Sequence, residues 1–250
     1  KVEEKTKAFL GIPITSVTSV FILLIILALP LGIYKIITTG SNNFIKLDIV
    51  GEKDPLTNKD HTIADFSFVN QYGDMVNNNS MNGNIYIADF FFTNCPSICP
   101  IMTKNMAYVQ KTLSKEVKSQ KVKFLSYTVD PKNDTPDRFL QYIEEMRQKN
   151  VFIDLENWDF VTGDKEDIYN IAKSYFVNVS PDSLAPGGFL HSEYFVLIDK
   201  EGRVRSGTDK SGNVVGVYDG TNEAQIKDLI KDVKVLMAEY HRPPKTKRKW

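Results

Sequence analysis

Cysteine and histidine are scarce in this chain, with two Cys and three His among 250 residues. So few thiols exclude a disulfide-stapled scaffold and a four-cysteine zinc site. They leave room for one disulfide or one pair of metal-binding thiolates. Excess charge is missing too: Lys and Arg number 31, as do Asp and Glu. That balance argues against nucleic acid or any other partner held through a basic surface. No internal repeat is visible. What the chain does have is length and 42% hydrophobic residues, enough for one domain with a substantial core plus an appendage.

The hydrophobic residues are unevenly spread. From Ala8 to Tyr34, 27 residues carry no charge, and Val20 to Leu29 is almost pure hydrocarbon. As a helix this stretch reaches about 40 Å, against a bilayer core of about 30 Å. A cleaved signal peptide is shorter and ends in an Ala-x-Ala pattern that is absent here. Residues 1–40 therefore read as an N-terminal segment with a transmembrane span at about 12–34. Pro30 is expected to kink or end that helix, and Tyr34 and Lys35 to sit at the headgroups. Lys1, Lys5 and Lys7 outnumber Lys35 and Lys46, so the basic bias favours an N-terminus inside and a main domain outside the cytoplasm. No Arg- and Ser-rich transit peptide is visible, which favours a bacterial inner membrane with the domain on the periplasmic side. In a eukaryote the counterpart is the mitochondrial inner membrane facing the intermembrane space.

Residues 41–60 are polar and read as a tether, residues 61–240 as the folded domain, and residues 241–250 as a solvated basic tail. Within the domain, Thr62 to Phe68 with a turn at Tyr72-Gly73-Asp74 predicts an opening hairpin. Ile85 to Phe92 is a dense aromatic and β-branched run that fits a central strand buried on both faces, with Phe90, Phe91 and Phe92 as core. A helix is expected from about Pro100 to Lys118, and a strand from Val122 to Val129. Thr135-Pro136-Asp137 opens a second helix running to Gln148. Trp158 to Val161 predicts a strand and Lys165 to Tyr175 a helix. Tyr194 to Asp199, with the turn Lys200-Glu201-Gly202, predicts a hairpin, and Glu223 to Glu239 an amphipathic closing helix. Strand–helix alternation ending in a hairpin points to an α/β three-layer sandwich.

Both cysteines fall in Asn94-Cys95-Pro96-Ser97-Ile98-Cys99-Pro100, after the aromatic strand and before a helix. The loop position and flanking prolines predict exposure, and the helix N-terminus predicts a preference for thiolate. Residues four apart on a helix hold their Cβ atoms about 5–6 Å apart. A disulfide needs about 3.8 Å, so closing one takes local unwinding. Two thiolates on one ion are less demanding. The pair selects Cu(I) or zinc, and zinc prefers four ligands, so copper fits better. His61 and His241 lie far from the loop in strand order and read as structural or solvated. His191 follows Pro186-Gly187-Gly188 and precedes the strand at Tyr194, whose entry lies beside the cysteine loop in thioredoxin-like folds. It is the candidate third ligand. Met102 and Met106 stand at helical spacing and read as core before thioether ligands.

The run from Asp89 to Met102 resembles the signature of the SCO/SenC family. So do Ser126 to Pro136, Trp158 to Gly163, His191-Ser192-Glu193 before Tyr194 to Asp199, and Tyr218-Asp219-Gly220. That family comprises membrane-anchored copper proteins that help assemble the CuA centre of cytochrome c oxidase. The resemblance implies a thioredoxin-like fold and ligation of Cu(I) or Cu(II) by Cys95, Cys99 and His191. Many members carry an acidic residue where this chain has Ser97. The segment from Ser206 to Asn213 looks like extra length without an assigned role. Asp130, at a strand end, is either a turn residue before Pro131 or a group that supports the ligands from behind.

Three functions compete. The first is a metallochaperone that passes copper to the copper-bearing subunit of cytochrome c oxidase, exchanging with other copper carriers and with thiol reductants. The second is a thiol–disulfide oxidoreductase using Cys95 and Cys99 on an oxidase subunit's cysteines. A peroxidase-like variant of it needs an Arg near the thiol, and the loop has none. The third is a tethered structural domain with a vestigial cysteine pair.

Overall fold

The computed structural model describes residues 8–9, 12–13, 16–39, 46–115, 122–181, 189–191, 193–209 and 211–240. At 8–9, 12–13, 16–18, 35–39, 180–181 and 189–191 only the backbone is described. The chain divides into two compact units, Lys1–Ile45 and Lys46–Trp250. The basic tail with His241 falls outside the described residues.

In the first unit, β1 (Ala8–Phe9) pairs with β2 (Ile12–Pro13) ahead of helix α1 (Ser16–Thr39). Pro30 lies inside α1 and does not end it. A missing N–H removes one bond from a ladder long enough to absorb the loss. The described side chains of α1 run from Ser19 to Tyr34 and are exposed. Among the described residues no helix is long and apolar enough to cross a membrane.

The second unit is a mixed sheet with helices on both faces. Its strands are β3 (Asp48–Ile49), β4 (Ser67–Asn70), β5 (Met75–Asn77), β6 (Ile85–Phe91), β7 (Val122–Thr128) and β8 (Trp158–Thr162), then β11 (Tyr194–Ile198) and β12 (Val204–Ser206). They lie in the order β3-β12-β11-β6-β7-β8-β4-β5, and β13 (Tyr218–Asp219) pairs with β11. A separate ribbon joins β9 (Val179–Pro181) to β10 (Phe189–His191). Strands β6, β7 and β8 run parallel, so their connections are helical: α3 (Cys99–Thr112) and α4 (Pro136–Gln148). A short helix, α2 (Asn78–Met81), precedes β6, while α5 (Lys165–Ser174) and α6 (Glu223–Tyr240) complete the layers.

Burial explains the layering. All seven residues of β6 are buried, as expected for a central strand covered on both faces. Phe91 packs against Phe139 and Tyr142 of α4, and Tyr142 bonds Thr103 of α3. Phe90 turns to the opposite face, against Tyr127 and Tyr175. Each such buried phenylalanine contributes roughly 1.5–3 kcal/mol, which anchors the strand firmly just before the cysteine loop. A polar thread also crosses the sheet: Ser126 donates to buried Asp89 at 2.5 Å and accepts from the Trp158 indole at 2.9 Å.

Part of the expected tether belongs to the sheet. Leu47 is buried and β3 extends β12 as an edge strand, because a hydrophobic residue beside a free sheet edge gains both burial and backbone hydrogen bonds. The opening hairpin is shorter than expected: Thr62 to Phe66 are not strand, and Asn78 of α2 accepts the Phe66 amide instead. In the segment Ser206 to Asn213, the Asp209 carboxylate accepts the amides of Ser211 and Asn213 and closes a tight turn.

At the edge, Arg205 is buried between two carboxylates, Asp199 at 3.0 Å and Glu239 at 2.7 Å, and donates to the Leu47 carbonyl. Burial by itself raises the pKa of Asp199, but hydrogen bonds from Arg203 and Arg205 outweigh it and hold the carboxyl below its usual range. A carboxylate depressed on folding stabilises the protein above its unfolded pKa and loses that contribution as pH falls through the folded value. Asp199→Asn is therefore expected to cost about 3 kcal/mol at pH 7, with the deficit shrinking below about pH 4. Urea melts at the two pH values check this; a deficit independent of pH contradicts it.

Candidate metal centre

The cysteine loop starts where β6 ends. Thr93 and Asn94 form a turn, the Cys95 amide donates to the Phe92 carbonyl at 3.3 Å, and α3 begins at Cys99 with Pro100 in its first turn. Ile98 offers no capping side chain, so the Cys99 amide points instead at the Cys95 sulfur, 3.4 Å away. That bond brings the two residues together at the helix N-terminus. The Ser97 hydroxyl stands 3.9 Å from the same sulfur. Both residues are thiols here.

The expected exposure is corrected. Pro96 and Ser97 are exposed, but Cys95 is 6% exposed and Cys99 is fully buried. A loop that follows an all-buried strand turns its sulfurs down against the core and only its ridge to solvent. The expected thiolate preference also fails at Cys99. Burial pushes its thiol far above the ordinary range, and the hydrogen bond and charge of Cys95 push it further. A backbone hydrogen bond at Phe92 offsets little of this. Desolvation outweighs the helix dipole at such a site. A metal ion bound at Cys99 would therefore displace a proton.

Two side chains remote in sequence border the loop. Asp134, fully buried, accepts from the Thr93 hydroxyl at 2.5 Å, the Thr93 amide at 3.1 Å and the Thr128 hydroxyl at 2.5 Å. Burial raises its pKa, and the hydrogen bonds from Thr128 and Thr93 partly oppose that. Arg138 of α4, paired with Glu145 at 2.7 Å, reaches the Asn94 side chain at 3.4 Å. An arginine thus does stand beside the loop, which sequence order hid. Asp130 closes the turn after β7: its carboxylate accepts from Asn133 at 2.7 Å and its amide donates to Thr128 at 2.9 Å.

His191 is described by its backbone alone, in β10 opposite Val179. Strand β11, which starts three residues later, runs antiparallel to β6 with Val196 opposite Ala88. The chain before Tyr194 therefore enters the sheet at the rim where β6 ends. A bridge ties that entry to α3: the Gly220 amide donates to the Glu193 carbonyl at 2.6 Å, and Asn105 of α3 donates to the Gly220 carbonyl at 2.8 Å. A Cβ at Gly220 would lie 2.7 Å from the Phe195 ring, so only glycine lets the three segments approach. Among the described side chains, no three His, Cys, Asp or Glu converge to hold a metal; the His191 ring is not among them. His61 bonds the Ser174 carbonyl at 2.8 Å and packs on Phe176, and Met102 and Met106 are fully buried.

A mixed α/β sheet with a buried dithiol at the end of its central strand defines a thioredoxin-like protein. The profile of the SCO1/SenC family matches residues 54–235. The SCO1 protein homolog of Bacillus subtilis (strain 168) is 32% identical over 183 residues, covering 73% of this chain and 84% of its own. The structure of BsSco, described with a disulfide switch as a member of the Sco family of cytochrome c oxidase assembly proteins, superposes with a TM-score of 0.57 at 32% identity, covering 76% of this chain and 99% of its own. Bradyrhizobium japonicum ScoI with copper bound shares the fold, with a TM-score of 0.52 at 22% identity over 68% of this chain and 98% of its own. The chain belongs to the SCO1/SenC family.

Burial makes a direct statement about reactivity. In the reduced native protein, iodoacetamide is expected to label Cys99 at least about tenfold more slowly than in the urea-unfolded chain. Equal rates contradict the buried arrangement.

Proposed function

We propose that this protein is a membrane-anchored copper carrier that holds its ion through Cys95, Cys99 and His191 and hands it to the copper-bearing subunit of cytochrome c oxidase. The observation that carries the reading is the cysteine pair itself: two thiols brought together at a helix start, shielded from water, at the rim where β11, three residues after His191, enters the sheet. Soft sulfur donors in apolar surroundings suit copper over harder cations. With two or three ligands, such a site leaves room for a recipient's thiolate to add before the first bond breaks. The disulfide form lacks thiolates, so oxidation of the pair blocks loading. The names of the relatives support an oxidase-assembly role and, for one protein of this fold, copper. Asp130, beside Thr128 on the same rim, supports the ligand loop from behind in this reading.

The full chain, reduced and titrated with Cu(I) against a competing chelator, is expected to take up one ion per molecule. His191→Ala is expected to weaken binding by about tenfold or more. Unchanged affinity in His191→Ala together with lost disulfide-reductase activity favours the second reading, an oxidoreductase working through the same two thiols.

The proposed anchor rests on the uncharged run from Ala8 to Tyr34. In cells, alkaline carbonate is expected to leave the protein in the membrane pellet. Release into the supernatant contradicts a spanning anchor.

A further inference from the structure

We infer that Asp134 is the positioning residue of the cysteine loop: its carboxylate grips Thr93, two residues ahead of Cys95, and ties it to Thr128 of the neighbouring strand. The inference rests on the reading that Cys95 and Cys99 are the working thiols. Thr93 lies beyond the end of β6, and Asp134 accepts its amide at 3.1 Å. The same carboxylate takes both threonine hydroxyls at 2.5 Å, so Thr93 is held by backbone and side chain together.

A local role in starting α4 is already filled. Thr135 caps that helix with its own hydroxyl, accepting from the Arg138 amide, while the Asp134 side chain turns away toward β6. A fully buried carboxylate is costly unless its partners demand it, and the partners here are the strand end and the loop. Arg138 adds a second contact from the same segment, to Asn94. The loop is thus gripped on its entry side by the β7–α4 connection and on its exit side by α3. A disulfide and a bound ion ask for different spacings of the two sulfurs, and a gripped entry resists movement away from the reduced arrangement, in which the Cys99 amide donates to the Cys95 sulfur at 3.4 Å.

The test poises the full chain in dithiothreitol redox buffers, reads the oxidised fraction by thiol labelling, and measures Cu(I) affinity by competition. Asp134→Ala and Thr93→Val are expected to shift the thiol–disulfide equilibrium toward the disulfide by about fivefold. They are also expected to weaken Cu(I) binding by about tenfold. Asp134→Asn retains an oxygen for the Thr93 amide and the Thr128 hydroxyl, and its NH2 can donate to the Thr93 hydroxyl, so it is expected to stay close to wild type. Asp199→Asn, destabilised at the far end of β11, level with the start of β6, is expected to leave both readouts unmoved. If Asp134→Ala does not fold, Thr93→Val decides. Equilibrium and affinity within twofold of wild type in the folded variants overturn the inference, as does Asp134→Asn behaving like Asp134→Ala. A wild type that binds no Cu(I), with the redox shift still present, sinks the copper reading and leaves the positioning role standing.

Discussion

Everything at the rim depends on one strand being buried along its whole length. With Ile85 to Phe91 shielded on both faces, the chain cannot shift along β6 without exposing a phenylalanine on one side or the other. The point where it leaves the sheet is therefore set, and the first polar residue after Phe92 is Thr93. The parallel neighbour β7 ends at the same level, which brings Thr128 and the following Asp134 within reach of that exit. The antiparallel neighbour β11 begins there, which brings in the segment from His191. Topology alone thus delivers the end of one strand, the end of another and the start of a third to the place where the two sulfurs sit.

The burial of those sulfurs changes what the loop can do. An exposed thiolate pair would be reactive toward any oxidant or electrophile. Here burial raises the pKa of the Cys99 thiol, so a metal ion bound there would release a proton. A hard, strongly hydrated ion gains little from two buried sulfurs. The exposed ridge of Pro96 and Ser97 is the part of the loop that faces solvent.

Much of this was legible in the residues. The aromatic run gave away the central strand, Thr135-Pro136 marked a helix start that the structure reproduces with its threonine cap, and the cysteine spacing pointed to the loop. Burial of the thiols was not legible, because prolines beside a cysteine predict an exposed ridge without revealing which way the sulfur turns. Asp134 and Arg138 were hidden for a different reason. Each stands about 40 residues from the loop, and an acidic residue ahead of Thr-Pro reads as an ordinary solvated helix start. Only strand register brings such groups back to Thr93 and Asn94. The strand β3 escaped because two residues carry no periodicity.

In the proposed carrier, one ion joins both sulfurs to the imidazole of His191. X-ray absorption on the copper-loaded, reduced full chain tests it most directly. Two sulfur neighbours and one imidazole nitrogen per copper are predicted. A spectrum with sulfur neighbours alone, and no scattering from an imidazole ring, contradicts the account.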